Sequence, residues 1–179
     1  QEDDGIPWDS GRRLSWSDFQ ANPPESQRVA ATTASGISYS YSTRGTPGNY
    51  QLDYQVLAYF YPERSWYHPE ICDSVILRHE QLHFDISELY ARRMREILGS
   101  RTFDGNVRAE VRKIFARINR DHVIQLYCLP DGRKMIPSGS WDAFGEELRQ
   151  HIRDGGTVPL RTFWLSVKES CTQDGIVTR

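Results

Sequence analysis

Arg78-His79-Glu80-Gln81-Leu82-His83-Phe84-Asp85 is the stretch of this 179-residue chain on which the rest depends. It contains His-Glu-x-x-His inside a segment patterned as a long helix. On an α-helix, residues four apart stand one above the other on one face. His79 and His83 can therefore offer two imidazole nitrogens to one ion, at the ~2.0–2.1 Å that zinc prefers. Glu80 stands about 100° around the helix from His79, where its carboxylate can reach a metal-bound water without being a ligand. Zinc peptidases carry this arrangement on a helix. Val75, His79, Leu82, His83, Ile86, Tyr90 and Ile97 recur at i, i+4, i+7, which puts both histidines on the apolar stripe. Imidazoles on such a stripe need partners for their polar atoms, and a shared metal supplies one.

Working outward, the motif helix is expected to start near 69–74 and to run to about 98, closed by Gly99. Upstream, residues 28–42 read as a strand with Ile37, Tyr39 and Tyr41 on one face and serines on the other. A turn at 43–49 leads to a second strand at 50–61, where Leu52, Tyr54, Val56, Ala58 and Phe60 alternate with polar residues. Together they form an antiparallel hairpin. Leu14 and Trp16 alternate as in a short strand. Downstream, a second helix is expected at about 106–127 and a third at about 141–153, ended by Gly155-Gly156. Residues 129–140 are a Pro/Gly-rich loop, and 157–171 form a last strand or irregular cover. The expected class is α+β, one domain over 1–179: mainly β to 68, the helical pair over 69–128, then loop, helix and cover.

A catalytic zinc site normally takes three protein ligands plus water, so a third ligand must come from elsewhere. If the two helices turn back near Ser100, residues whose numbers sum to about 200 lie side by side. His79 then faces Asp121 and His122, and Cys72 faces Cys128. His122 follows Phe115 by seven and Ile118 by four, on the inward stripe. It reads equally as the third ligand and as a core histidine bonded to a backbone carbonyl. Glu110 lies off that face and ranks lower. Asp85 and Glu88 point away from the ligand face, suited to orienting neighbours or capping surface charge, with Asp85 also placed to hold a ligand's other N–H. Cys72 with Cys128 is the expected disulfide and Cys128 with Cys171 its competitor; either leaves one of the three cysteines free.

A net charge of −2 with 26% charged residues gives no case for nucleic-acid binding. No apolar run approaches the ~20 residues of a membrane span. The chain begins Gln1-Glu2-Asp3-Asp4 without Met, which suits a mature form after signal removal or a trimmed chain, so an extracytoplasmic location is expected. Oligomeric state is not set by these features.

The run from His79 to Leu89 with Ala91-Arg92 resembles the bacterial family known as domain of unknown function nine-two-two. The resemblance extends to Leu14, Trp16, Asp18 and Phe19, to Ala31-Thr32, to Ser35-Gly36-Ile37 before Tyr39, and to Ser65-Trp66. It covers roughly the first two-thirds of the chain. Members are predicted secreted zincin-like metalloproteases, so the resemblance implies a zincin-like fold and that class of chemistry. Such proteins show a Tyr-Asp segment leading to a His-Gly pair and then a Trp. Here Tyr127 and Trp141 fit, but Cys128-Leu129-Pro130-Asp131-Gly132 follows Tyr127 without that histidine.

The expected function is zinc-dependent hydrolysis of a peptide or protein substrate. Glu80 would act as general base, and Tyr127, Arg78 or Tyr90 would donate to the oxyanion. The competing expectation is a secreted, catalytically inactive zincin-like binding module, and a non-proteolytic zinc hydrolase stands beside both.

Overall fold

The alternation in the two hairpin strands leaves each with one face to bury. The computed structural model describes residues 5–25, 29–127 and 141–156, with the backbone alone for 123–127, 141–145 and 147. Its class is α+β. Five strands, β1 (Ile6–Pro7), β2 (Ala31–Thr32), β3 (Ser35–Thr46), β4 (Asn49–Phe60) and β5 (Trp66–Tyr67), precede three helices, α1 (Ser74–Gly99), α2 (Val107–Tyr127) and α3 (Trp141–Arg153). β3 and β4 pair antiparallel from Ser35 opposite Phe60 to Thr46 opposite Asn49, so the turn is Pro47-Gly48. Gly45 and Gly48 both have positive φ, and a Cβ on Gly45 would run into the Asn49 carbonyl. β1 adds to the other edge of β4, and β2 and β5 form a separate antiparallel pair.

The strand expected at 28–42 is broken in two. Ser65 Oγ accepts from the Ala34 N–H at 2.9 Å and the Tyr61 N–H donates to the Ala34 carbonyl at 2.8 Å, which bends the chain between β2 and β3. β3 then continues to Thr46, past the expected end at 42. The short strand expected at Leu14 and Trp16 is instead a 3-10 turn, Trp16–Asp18, because Asp18 turns back to accept the Ser15 N–H at 2.8 Å.

α1 starts where Asp73 accepts from the N–H groups of Val75 and Ile76, both at 2.9 Å. Gly99 ends it, but not as a left-handed cap. The Tyr54 hydroxyl donates to the Arg95 carbonyl at 2.9 Å, and a Cβ at 99 would lie 2.7 Å from that hydroxyl. α1 crosses the apolar face of β3 and β4 and also packs against β2, α2 and α3. From residue 80 to 91 every position except His83 is buried.

The register of α2 on α1 differs from the expected one. Phe103, fully buried, exchanges two backbone hydrogen bonds with Tyr50, both 2.8 Å, so the chain returns to the sheet before α2 begins. α2 is displaced accordingly. His122 meets Ser87 and Tyr90, about two helical turns beyond His79. α3 buries Leu148 and Ile152, and Arg92 Nη1 donates to the Ile152 carbonyl at 2.5 Å. Among the described residues no helix is long and apolar enough to cross a membrane. The loop expected at 129–140, the tail at 157–171, Cys128 and Cys171 lie outside the described residues.

Candidate metal centre

α1 brings His79 and His83 together as four-residue spacing requires. Their Nε2 atoms are 3.0 Å apart and their rings meet edge to face at 4.6 Å. Bonds of about 2.0–2.1 Å at a tetrahedral angle would hold two nitrogens roughly 3.3 Å apart, so an opening of a few tenths of an ångström admits a zinc ion. Glu80 completes the group: its carboxylate and the two imidazoles offer ligand atoms all within 4.8 Å of one another. The donor set of two imidazoles and a carboxylate suits divalent first-row metal ions, zinc and iron among them. His79 and His83 are partly exposed, at the point where α1 passes from its exposed first turn into the stretch buried from residue 80 onward, so the ligand atoms lie at the edge of the core.

Burial dominates the electrostatics. It lowers the His79 pKa. It brings His83 down to about 3, with the charges of His79 and His122 adding to it. Both rings are therefore neutral near pH 7, and a metal would meet imidazole rather than imidazolium. Glu80, only 4% exposed, is pushed up by burial to about 7, against hydrogen bonds from the Thr33 side chain and backbone. Its Oε2 has no hydrogen-bond partner. An unpaired buried carboxylate oxygen with a pKa near neutrality is what a proton-shuttling group requires.

His122 is not gathered into this group. Its Nε2 lies 2.9 Å from Ser87 Oγ, its ring stands edge-on to Tyr90 at 5.4 Å, and burial lowers its pKa to about 4. The register set at Phe103 puts His122 beside Ser87, apart from the grouped ligand atoms, and bonded to a serine hydroxyl where a backbone carbonyl was the expected partner of a core histidine. Tyr127 is the last residue of α2, and its side chain lies outside the described residues. Tyr90 packs on His122, and burial raises its pKa. Arg78 precedes His79 and is partly buried. Glu110 pairs with Arg101 at 2.6 Å, away from the centre.

Neither Asp85 nor Glu88 caps surface charge. Asp85 is fully buried; it accepts from Trp8 Nε1 at 2.9 Å and Gln81 Nε2 at 3.0 Å, so it orients neighbours without holding a histidine. Glu88 is buried between Arg92 at 2.8 Å and Arg95 at 2.6 Å. The expected disulfide is also corrected. Cys72 is a free thiol donating to the Ala30 carbonyl at 3.1 Å, and burial raises its pKa.

Sequence reasoning missed Thr33, Ser35 and Ser87. Ser87 follows His83 by four, so the same spacing that found the histidines places it on their face. Thr33 and Ser35 reach α1 across nearly fifty residues, and no local pattern carries such a contact. Comparison with family models, curated proteins and solved structures returned no match to this chain.

Proposed function

We propose that the protein is a zinc-dependent hydrolase, in the zincin-like peptidase class that the resemblance implies, acting outside the cytoplasm on a peptide or protein. The observation that supports this most is the pairing of two neutral imidazoles, Nε2 atoms 3.0 Å apart, with a buried carboxyl whose Oε2 is unpaired. His79 and His83 would hold the ion. When bound, zinc supplies Lewis acidity and brings the pKa of a coordinated water toward ~7. Glu80 takes the proton from the water and returns it to the leaving amine. Thr33 Oγ1 donates to the Glu80 carbonyl at 3.3 Å and holds that turn of α1 against residue 33. Whichever ring carries its proton on Nε2 shifts it to Nδ1 as the ion enters, a change of tautomer with no net release of a proton from the neutral pair.

One observation favours the inactive binding module. Among the described residues the third donor near the two imidazoles is Glu80 itself, and a carboxylate spent as a ligand is lost as a base. Glu80→Gln separates the two. In the hydrolase, zinc affinity stays near wild type and cleavage of a broad peptide library disappears. In the module, zinc affinity falls and the wild type cleaves nothing.

A further inference from the structure

His122 has no place among the candidate ligands, yet it is buried and hydrogen-bonded one turn beyond His83. Its Nε2 is 2.9 Å from Ser87 Oγ. Ser87 Oγ lies 2.7 Å from Ser35 Oγ and donates to the His83 carbonyl at 3.1 Å, which Ser35 Oγ also approaches at 3.4 Å. Two residues earlier, Thr33 Oγ1 donates to the Glu80 carbonyl at 3.3 Å. Residues 33–35 therefore run beside the turns of α1 that carry Glu80 and His83. β3, α1 and α2 are tied together at Ser87, which is fully buried.

The protons in this chain balance. Each hydroxyl has one proton and two lone pairs, and a neutral imidazole has one N–H and one acceptor. If His122 Nε2–H donates to Ser87, the Ser87 proton goes to the His83 carbonyl and the Ser35 proton to Ser87. In the other tautomer Ser87 donates to Nε2 and Ser35 donates to Ser87. Either way α2 supplies the anchor, and without it the chain ends on a buried serine with one partner fewer.

We propose that His122 is a positioning residue: through Ser87 and Ser35 it straps residues 33–35 to α1, and so keeps Thr33 Oγ1 on the Glu80 carbonyl and holds the turn of α1 that carries Glu80. The role in catalysis rests on the zinc-hydrolase reading above; the strap itself does not. A ligand would be irreplaceable by glutamine without loss of metal. A space-filling histidine would leave the strand's mobility unaffected. A positioning residue is rescued by glutamine, whose amide nitrogen can reach Ser87 from the place of Nε2.

The test uses the full chain with Zn²⁺ and Co²⁺ alone as metal probes, and amide hydrogen exchange as the second readout. Expected are zinc affinities within about threefold of wild type for His122→Ala, His122→Gln and Ser35→Ala, and an unchanged Co²⁺ absorption spectrum. Exchange at residues 33–35 should accelerate about tenfold or more in His122→Ala and Ser35→Ala and return toward wild type in His122→Gln. A more than about tenfold loss of zinc affinity in His122→Gln would make His122 a ligand and overturn the proposal. Unchanged exchange in both alanine variants would overturn it as well. Should His122→Ala fail to fold, Ser35→Ala, at a partly exposed position, carries the decision alone. A wild-type chain that binds neither metal sinks the zinc reading, while the exchange comparison still decides on the strap.

Discussion

Trp8 Nε1 donates to Asp85 Oδ1 at 2.9 Å, across 77 residues of sequence. Asp85 also receives Gln81 Nε2, whose Oε1 accepts the Leu14 N–H at 2.7 Å. This chain fastens the N-terminal segment to the side of α1 away from the metal group. Asp85→Ala leaves two N–H donors without their acceptor, at about 1–3 kcal/mol each. The expected loss is about 2–4 kcal/mol in urea unfolding, with Asp85→Asn losing less because burial already raises the Asp85 pKa. Equal stability of wild type and Asp85→Ala would count against the chain.

Glu80 ties stability to pH in the metal-free protein. Its folded pKa of about 7 exceeds the ordinary 4.5, so the unfolded chain gives up the proton first, and the shift amounts to roughly 3 kcal/mol at most. Its contribution is fully present below pH 4.5 and lost as pH rises through 7. Glu80→Gln removes this dependence, so the variant should be more stable than wild type at pH 8 and closer to it at pH 5. Parallel stability curves for the two proteins would contradict the raised pKa.

The histidines act in the opposite direction. His83 at about 3 and His122 at about 4 bind protons less readily folded than unfolded. Their contribution is intact above 6.5 and is lost as pH falls toward those values. Metal-free protein should therefore weaken between pH 6.5 and 4, and His122→Gln should flatten that slope. An unchanged slope in the variant would exclude His122 as a source.

Zinc should stabilise the folded chain by mass action. At a free concentration 100 times Kd the gain is about 2.7 kcal/mol, seen as a rise in Tm that a chelator reverses. His79→Ala and His83→Ala should each abolish the rise. Persistence of the full rise in either variant would place the ion elsewhere.

Gly99 and Tyr54 form a coupled pair. Gly99→Ala brings a methyl to 2.7 Å from the Tyr54 hydroxyl and disturbs its bond to Arg95. In the wild-type background it should destabilise by about 1 kcal/mol, the order of one lost hydrogen bond. In Tyr54→Phe the clash is gone, and alanine should gain up to about 1 kcal/mol from helix propensity. Additive effects in this double-mutant cycle would deny the contact.

The features set by local spacing were legible in the sequence: the hairpin, the bounds of α1, and the meeting of His79 with His83. Those that depend on where the chain crosses itself were not. The level of α2 turns on Phe103 pairing with Tyr50, and a helical-hairpin estimate treats that connection as a plain turn. Asp85 and Glu88 read as polar positions on the outer face, but α3 and the N-terminal segment cover that face as well, so both are buried. Thr33 has no signature beyond a break in a serine-rich strand, yet it is the neighbour that fixes Glu80.

The Trp8 contact also bears on how the protein is made. Residues near position 8 leave the ribosome well before position 85 exists, and at about 5–20 residues per second the wait is roughly 4–15 s. Through that interval Trp8 can already donate its backbone N–H to the Ala58 carbonyl of β4, while its indole N–H and the Leu14 N–H lack their acceptors on α1. The Trp8 indole thus takes its acceptor only after the strand beside it has a partner in β4, and slowing translation between residues 60 and 85 lengthens the interval between those two steps.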